Sequence, residues 1–276
     1  MKDQFVIAYL ADLSMTQAVV SHACQLARIL KKGLILLYIE DRRRHLPTIA
    51  SVEKTLLQIE AAHPDIHPAH AALKGNTKEI INALPTLLNG VVAVAGVNPH
   101  ARPFSTTHPN QVLHLFSQCK IAYLTVQTPL SDHTPYSNVA FGIDFHKESK
   151  EKLIWASYFA RFNRSRLTML HFPYTDPGLH NKWHNNVLFM DKFFSGLNVT
   201  YNSLAVQGRA FFPETLVCRT AVQTGHNLLI SVTTDTRSLD IVEWFAGTQE
   251  RRTVRNPMKL PVLFINPRND IYVLCD

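Results

Sequence analysis

Residues 139–160 read VAFGIDFHKESKEKLIWASYFA. The stretch opens with an unbroken apolar run that stops at Asp144. After Asp144 the period changes, and Leu153, Ala156, Phe159, Ala160 and, just beyond, Phe162 recur at helical spacing. An apolar run without polar alternation suits a strand buried on both faces, which is the condition of a parallel sheet. A buried strand followed at once by an amphipathic helix is the first half of a βαβ unit.

The same order occurs nearer the N-terminus. VIAYLAD (6–12) is a short apolar run ending in an acid, and Ala18, Cys24, Leu26, Ala27 and Leu30 follow at helical spacing. GLILLYIED (33–41) then pairs with RLTMLHFPYTD (166–176). Ala27-Arg28 recurs as Ala160-Arg161, an offset of 133 (160 − 27), and Gly75 in LKGN recurs as Gly208 in VQGR at the same 133 (208 − 75). VVAVAGV (91–97) matches LLISVT (228–233), and CKIAYLTVQTP (119–129) matches MKLPVLFINP (258–267), with the offset a few residues longer. A repeat the length of a whole domain excludes a solenoid. TPLSDHTPYSN (128–138), rich in Pro, Ser and Thr, has the composition of a linker. Two domains are therefore expected, over 1–130 and 137–276, joined by 131–136. Right-handed crossovers make each a doubly wound α/β layer.

Composition agrees with two packed domains. The 276 residues are 46% hydrophobic and 18% charged, too apolar for a disordered chain. The net charge of +7 permits an anionic partner without identifying one. Cys24, Cys119, Cys218 and Cys275 are far apart, so no CxxC pair exists, and they suit reduced thiols in a cytoplasmic protein. The N-terminus lacks the pattern of a signal peptide and no apolar run approaches a membrane span, so no membrane association is expected.

The ordered set of elements resembles the universal stress protein family in its tandem two-domain form. The resemblance rests on 139–160, on LKGNTKEIINAL (73–84) and on the last strands at 119–126 and 258–265, and it covers nearly the whole chain. It implies an adenine nucleotide alpha hydrolase-like fold, a five-stranded parallel sheet in each half. It also implies that KIAYLTV and KLPVLFI pair with each other, which would cover two sheet edges, and that the chain forms a homodimer. Survival under stress or growth arrest is the implied role, and ATP or AMP the implied ligand. In nucleotide-binding members the first-strand Asp meets the adenine, and a Gly-x2-Gly-x9-Gly-Ser/Thr loop after the fourth strand cradles the phosphates through backbone N–H groups.

Against that pattern, Asp144 is the better-placed acid. The ungapped partner of Asp144 in the first half is Ala11, so Asp12 lies one residue late, and either Asp equally suits a helix N-cap. In GVNPHARPFSTTHPN (96–110) Gly96 is kept, Pro99 takes the place of the second glycine, and Ser105-Thr106-Thr107 is the nearest remnant of the third. Pro99, Pro103 and Pro109 each remove a donor. In the second half only Gly247-Thr248 keeps the pattern, with Thr234 and Arg237 at the earlier glycine positions. Two of three glycines are missing from each half, so tight nucleotide binding is not expected. A single half-site of Asp144, Gly247 and Thr248 stays open as the alternative. Arg237, Arg251, Arg252 and Arg255 offer either side-chain forks for a phosphate or a solvated basic face.

Other clusters point to no chemistry. DRRRH (41–45) is short and lacks interleaved aromatics, so nucleic acid is not expected as a partner. HPDIHPAH (63–70) lies in a turn, and His180 and His184 in HNKWH lack the intervening Glu of HExxH, so no metal is expected. GxSxG and GxxxxGK[ST] are absent. The sequence therefore reads as non-enzymatic, with at most weak nucleotide hydrolysis. Binding of an unidentified protein partner or small ligand is its expected mode of action, and a purely structural dimerisation scaffold is a third reading.

Overall fold

The computed structural model describes residues 3–40, 48–130, 135–207, 213–233 and 249–266. The chain divides into two compact units, Met1–His133 and Thr134–Asp276.

In the first unit, β1 (Phe5–Tyr9) leads through a 3-10 turn (Leu13–Met15) into α1 (Thr16–Leu30). β2 (Gly33–Glu40), α2 (Ile49–Ala62) and β3 (Ala69–Lys74) follow. Short helices α3 (Thr77–Asn82) and α4 (Leu84–Leu87) precede β4 (Gly90–Gly96), and α5 (Pro109–Phe116) precedes β5 (Ala122–Val126). The strand order is β3-β2-β1-β4-β5, and each adjacent pair is parallel. The chain winds outward from β1 to β3 and then returns to the other side, so the order reverses between β1 and β4. Crevices for ligands form outside the carboxyl ends of strands at such a reversal.

The second unit repeats the plan. It runs from β6 (Asn138–Gly142), through a 3-10 turn (Lys147–Glu151), to α6 (Lys152–Asn163), β7 (Arg166–His171), α7 (Pro177–Gly196) and β8 (Tyr201–Ala205). α8 (Pro213–Gln223), β9 (Leu228–Val232), α9 (Gln249–Val254) and β10 (Val262–Ile265) complete it. The order is β10-β9-β6-β7-β8, again parallel between neighbours, with its reversal between β6 and β9.

The repeat offset survives as geometry. β1 and β6 coincide at 133, and the register pair Ile35↔Ala69 becomes Thr168↔Asn202 at the same offset. The left-handed residue that ends α1, Lys31 at φ 53°, becomes Arg164 at φ 55° after α6. The strands β1, β2 and β4 are buried at nearly every residue, and β5 and β10 at every one. β3 and β8 differ from the expectation of continuous burial and are largely exposed. Phe162, placed by its spacing on the apolar face of α6, is 48% exposed. It is the penultimate residue of the helix, where the chain is already turning away from the sheet.

Caps follow local sequence. Asp176 accepts from the Leu179 amide at the start of α7, and Pro177 takes the first helical position, where its missing N–H costs nothing. Gly75, at φ +150°, makes the turn into α3, which Asn76 caps through the amides of Lys78 and Glu79. Pro135 and Tyr136 are held to the second unit by Asn163, whose Nδ2 donates to both of their carbonyls, and Tyr136 is buried edge-on against Phe159. Among the described residues no helix is long and apolar enough to cross a membrane.

Candidate functional site

At the first unit's strand reversal the residues that would face a nucleotide are engaged with one another. The Asp12 carboxylate accepts from the Ser14 amide at 2.8 Å and caps the turn that opens α1. Thr106 Oγ1 donates to the Ala11 carbonyl at 3.4 Å, so the loop after β4 closes onto the end of β1. That loop is tied internally: the Asn98 amide donates to Thr107 O, and the Ser105 and Thr107 hydroxyls pair at 3.2 Å. Gly96 faces protein rather than a crevice, for a Cβ there would meet Met15 Cβ at 2.6 Å. These residues do not fit a phosphate cradle, which needs free backbone amides around an open concavity.

The second unit places a buried charge network at the same level. Lys152, in the first turn of α6, has a side chain only 1% exposed. Its Nζ donates to the Gly142 carbonyl at 2.8 Å and to Glu214 Oε1 at 3.0 Å. Ser231 Oγ, from β9, donates to Glu214 Oε2 at 2.9 Å, and the Glu214 amide donates to Gln249 Oε1. The network thus links β6, α6, α8, β9 and α9 under the strand reversal. Both carboxylate oxygens of Glu214 are in use, which leaves no unengaged base there.

Asp144 lies above this floor, half-buried. Its Oδ1 accepts from the His146 amide at 2.9 Å and its own amide donates to Ser149 Oγ. Asn186, buried on α7, donates Nδ2 to the carbonyls of both Asp144 and His146 and fixes the turn. Asp144 therefore serves as a local cap while its remaining oxygen has no partner among the described residues. Gly247, Thr248, Thr234 and Arg237 lie outside the described residues, as do Gly208 and the DRRRH run. Arg251 and Arg252 are half-buried on α9 and Arg255 is exposed.

Beside Asp144 is an aromatic wall. Phe145 meets Tyr174 edge-on at 5.5 Å, Tyr174 lies 6.4 Å from Trp183, and Trp183 stacks on His171 at 5.2 Å. Burial, reinforced by the charges of Asp144 and Glu214, holds the Tyr174 hydroxyl well above the usual range, so it stays protonated. Trp183 Nε1 and His171 Nδ1 are buried with no hydrogen-bond partner among the described residues. A buried unpaired donor costs about 1–3 kcal/mol, so a group that pairs with it binds there at an advantage.

Lys152, Glu214, Ser231, Tyr174 and Trp183 were not expected from sequence. Lys152 is one of three lysines in KESKEK and carries no local mark that sets it apart. His180 and His184 stack one turn apart at 6.3 Å, both exposed, and no group of residues able to hold a metal occurs among the described residues. Cys24, Cys119 and Cys218 are buried free thiols.

No protein-family model matches the chain, and no curated protein matches it. Solved structures do. A universal stress protein from Archaeoglobus fulgidus is similar at 12% identity, covering 96% of this chain and 97% of that one, with a TM-score of 0.67. A putative universal stress protein from Pseudomonas aeruginosa is similar at 13% identity, with 96% and 94% covered and a TM-score of 0.64. The cytoplasmic domain of a prokaryotic cation chloride cotransporter is similar at 10% identity, with 96% and 95% covered and a TM-score of 0.56. At such identities the likeness speaks to architecture alone, and the architecture of this chain is the tandem universal stress protein fold.

Proposed function

We propose that this chain is a non-enzymatic stress-response protein of the cytoplasm that acts by binding a protein partner or a small ligand through its second unit. The fold by itself does not decide this, since one fold hosts many functions. The observation that carries the reading is the pair of buried ring nitrogens without a partner among the described residues, Trp183 Nε1 and His171 Nδ1, beside Asp144 and Tyr174 at the strand ends. The first unit, closed by Asp12, Thr106 and Met15, serves as the structural half. In this reading β5 and β10 cover each other's edges, and a second copy of the chain completes the assembly. Hydrogen exchange tests the edge pairing: outward amides of β5 should be strongly protected, and rapid exchange there would sink it.

A second reading is an adenine-nucleotide sensor built on Asp144 with Gly247 and Thr248. The free carboxylate oxygen of Asp144, next to the rings of Phe145 and Tyr174, favours it. Melting with millimolar ATP or AMP separates the two, because a ligand that binds only the folded state raises Tm. The first reading expects no shift or heat of titration that depends on Gly247. A rise that Gly247→Val abolishes would replace it with the sensor. Phosphate release from ATP should not exceed that of buffer, and turnover above that level would end the non-enzymatic reading.

A further inference from the structure

The two halves differ at one conserved point of the repeat geometry, at the opposite end of the strands from the Asp144 crevice. In the first unit Arg28, near the end of α1, forks onto Asp65, with Nε and an Nη each 2.6 Å from one carboxylate oxygen. The same guanidinium lies 3.0 Å from His63 Nδ1. The hydrogen bonds and charge of Arg28 hold the Asp65 carboxyl down to about 2.

At the offset of 133, Arg28 becomes Arg161, Asp65 becomes Asn198 and His63 becomes Gly196. Ile66 and Val199, one residue after Asp65 and Asn198, are both buried and the strand registers that follow coincide, but the turn itself differs: Asn198 takes a left-handed φ of 54°, and Gly196 is still in α7 where His63 is already past the end of α2. The second unit has therefore kept the arginine and replaced both of its partners. Gly196 carries no side chain, and a Cβ on it would meet nothing within 4 Å.

The result is a groove of about 350 Å³ lined by Arg161, Arg164, Arg166, Asn198, Thr200 and Asn202, among others. No lining residue is acidic. Arg164 and Arg166 stand where the first unit has Lys31 and Gly33, so the second unit has also gained guanidinium forks. Among the described residues none of the three arginines has an ion pair; Arg161 lies over the Phe162 ring at 5.2 Å. Three guanidinium groups around one groove repel one another unless an anion joins them, and the planar fork of arginine matches carboxylate and phosphate oxygens.

We propose that this groove is a binding site for a small phosphate-bearing anion, whose oxygens Arg161, Arg164 and Arg166 hold with their guanidinium forks. A multiply charged phosphate suits it better than a carboxylate because three arginines and no acidic residue line one groove. The site is independent of adenine recognition and of the Asp144 crevice.

Calorimetric titration with inorganic phosphate, pyrophosphate and tripolyphosphate at low salt tests the proposal. Affinity should rise with phosphate number and fall steeply as sodium chloride is raised from roughly 0.05 to 0.5 M, where screening shortens to a few ångströms. Asn198→Asp is the decisive variant. It places a carboxylate among the arginines lining the groove, at a left-handed position (φ 54°) that Asp also adopts, and it should weaken tripolyphosphate at least tenfold. Arg161→Gln should do the same by removing the fork. Absence of binding at 10-fold above millimolar concentration, or unchanged affinity in Asn198→Asp, overturns the proposal. Any ATP response that survives Gly247→Val but vanishes in Asn198→Asp belongs to this groove and not to the strand-end crevice.

Discussion

Replacing Glu214 by Ala should destabilise the second unit more than removing its partner Lys152. In Glu214→Ala the Lys152 ammonium, 1% exposed, retains only the Gly142 carbonyl at 2.8 Å. Ser231 Oγ loses its acceptor and keeps only a 3.5 Å contact with its neighbour's carbonyl. Stranding one charge of a buried pair costs about 3–5 kcal/mol. Glu214 is 18% exposed, so water can enter the vacated space, and about 3 kcal/mol is expected. Lys152→Met removes the buried charge instead, and the partly exposed Glu214 keeps Ser231 and rehydrates, so about 1 kcal/mol is expected. The double variant should resemble Lys152→Met, giving a coupling of about 3 kcal/mol in a double-mutant cycle. All three tryptophans, Trp155, Trp183 and Trp244, lie in the second unit, so their fluorescence during denaturation reports that unit alone. A loss of about 3 kcal/mol would lower Tm by about 6–12 °C. If Glu214→Ala costs under about 1 kcal/mol, or Lys152→Met costs as much as Glu214→Ala, the reasoning from a stranded charge fails.

Other outcomes follow from single features. His22 is buried, with Nε2 3.1 Å from Thr128 O, and burial drops its imidazole to about 4 from 6.5, so the folded state binds the proton later than the unfolded one. The first unit's stability from this group is complete above about pH 6.5 and is lost as pH falls to about 4, by about 3 kcal/mol in all; His22→Gln should flatten that slope in acid-titrated melts, and an unchanged slope would refute the assignment. Gly96→Ala should cost about 1–3 kcal/mol in the first unit, since its Cβ meets Met15 Cβ at 2.6 Å, and a neutral effect by calorimetry would show that Met15 moves freely. Burial raises the Cys24 thiol to about 11 and the Cys218 thiol to about 12, so both should resist maleimide at neutral pH until the protein unfolds. Site-resolved mass spectrometry showing rapid native labelling of either would contradict their burial.

Fold and repeat were legible because they depend on short-range pattern. Unbroken apolar runs followed by a 3.6-residue period specify strand and helix locally, and the 133-residue offset in Ala27-Arg28 and Ala160-Arg161 announced the duplication before any coordinate. The slip between Asp12 and Asp144 was legible for the same reason, and β1 and β6 coincide at that offset. What Asp12 and Asp144 do was not, because a strand-end carboxylate faces a ligand or an amide according to the path of the next two residues.

The sequence alone determined two doubly wound parallel sheets and the reduced glycine content of their loops after the fourth strand. Only the tertiary structure decided which charges meet. Lys152 and Glu214 are 62 residues apart and Arg28 and Asp65 are 37 apart, and each pair exists because crossovers bring distant turns to one end of a sheet. Arg161 looked like any solvated arginine until the structure set it in one acid-free groove with Arg164 and Arg166. Side-chain pairing across a sheet is a property of register and crossover, which no local window of sequence contains.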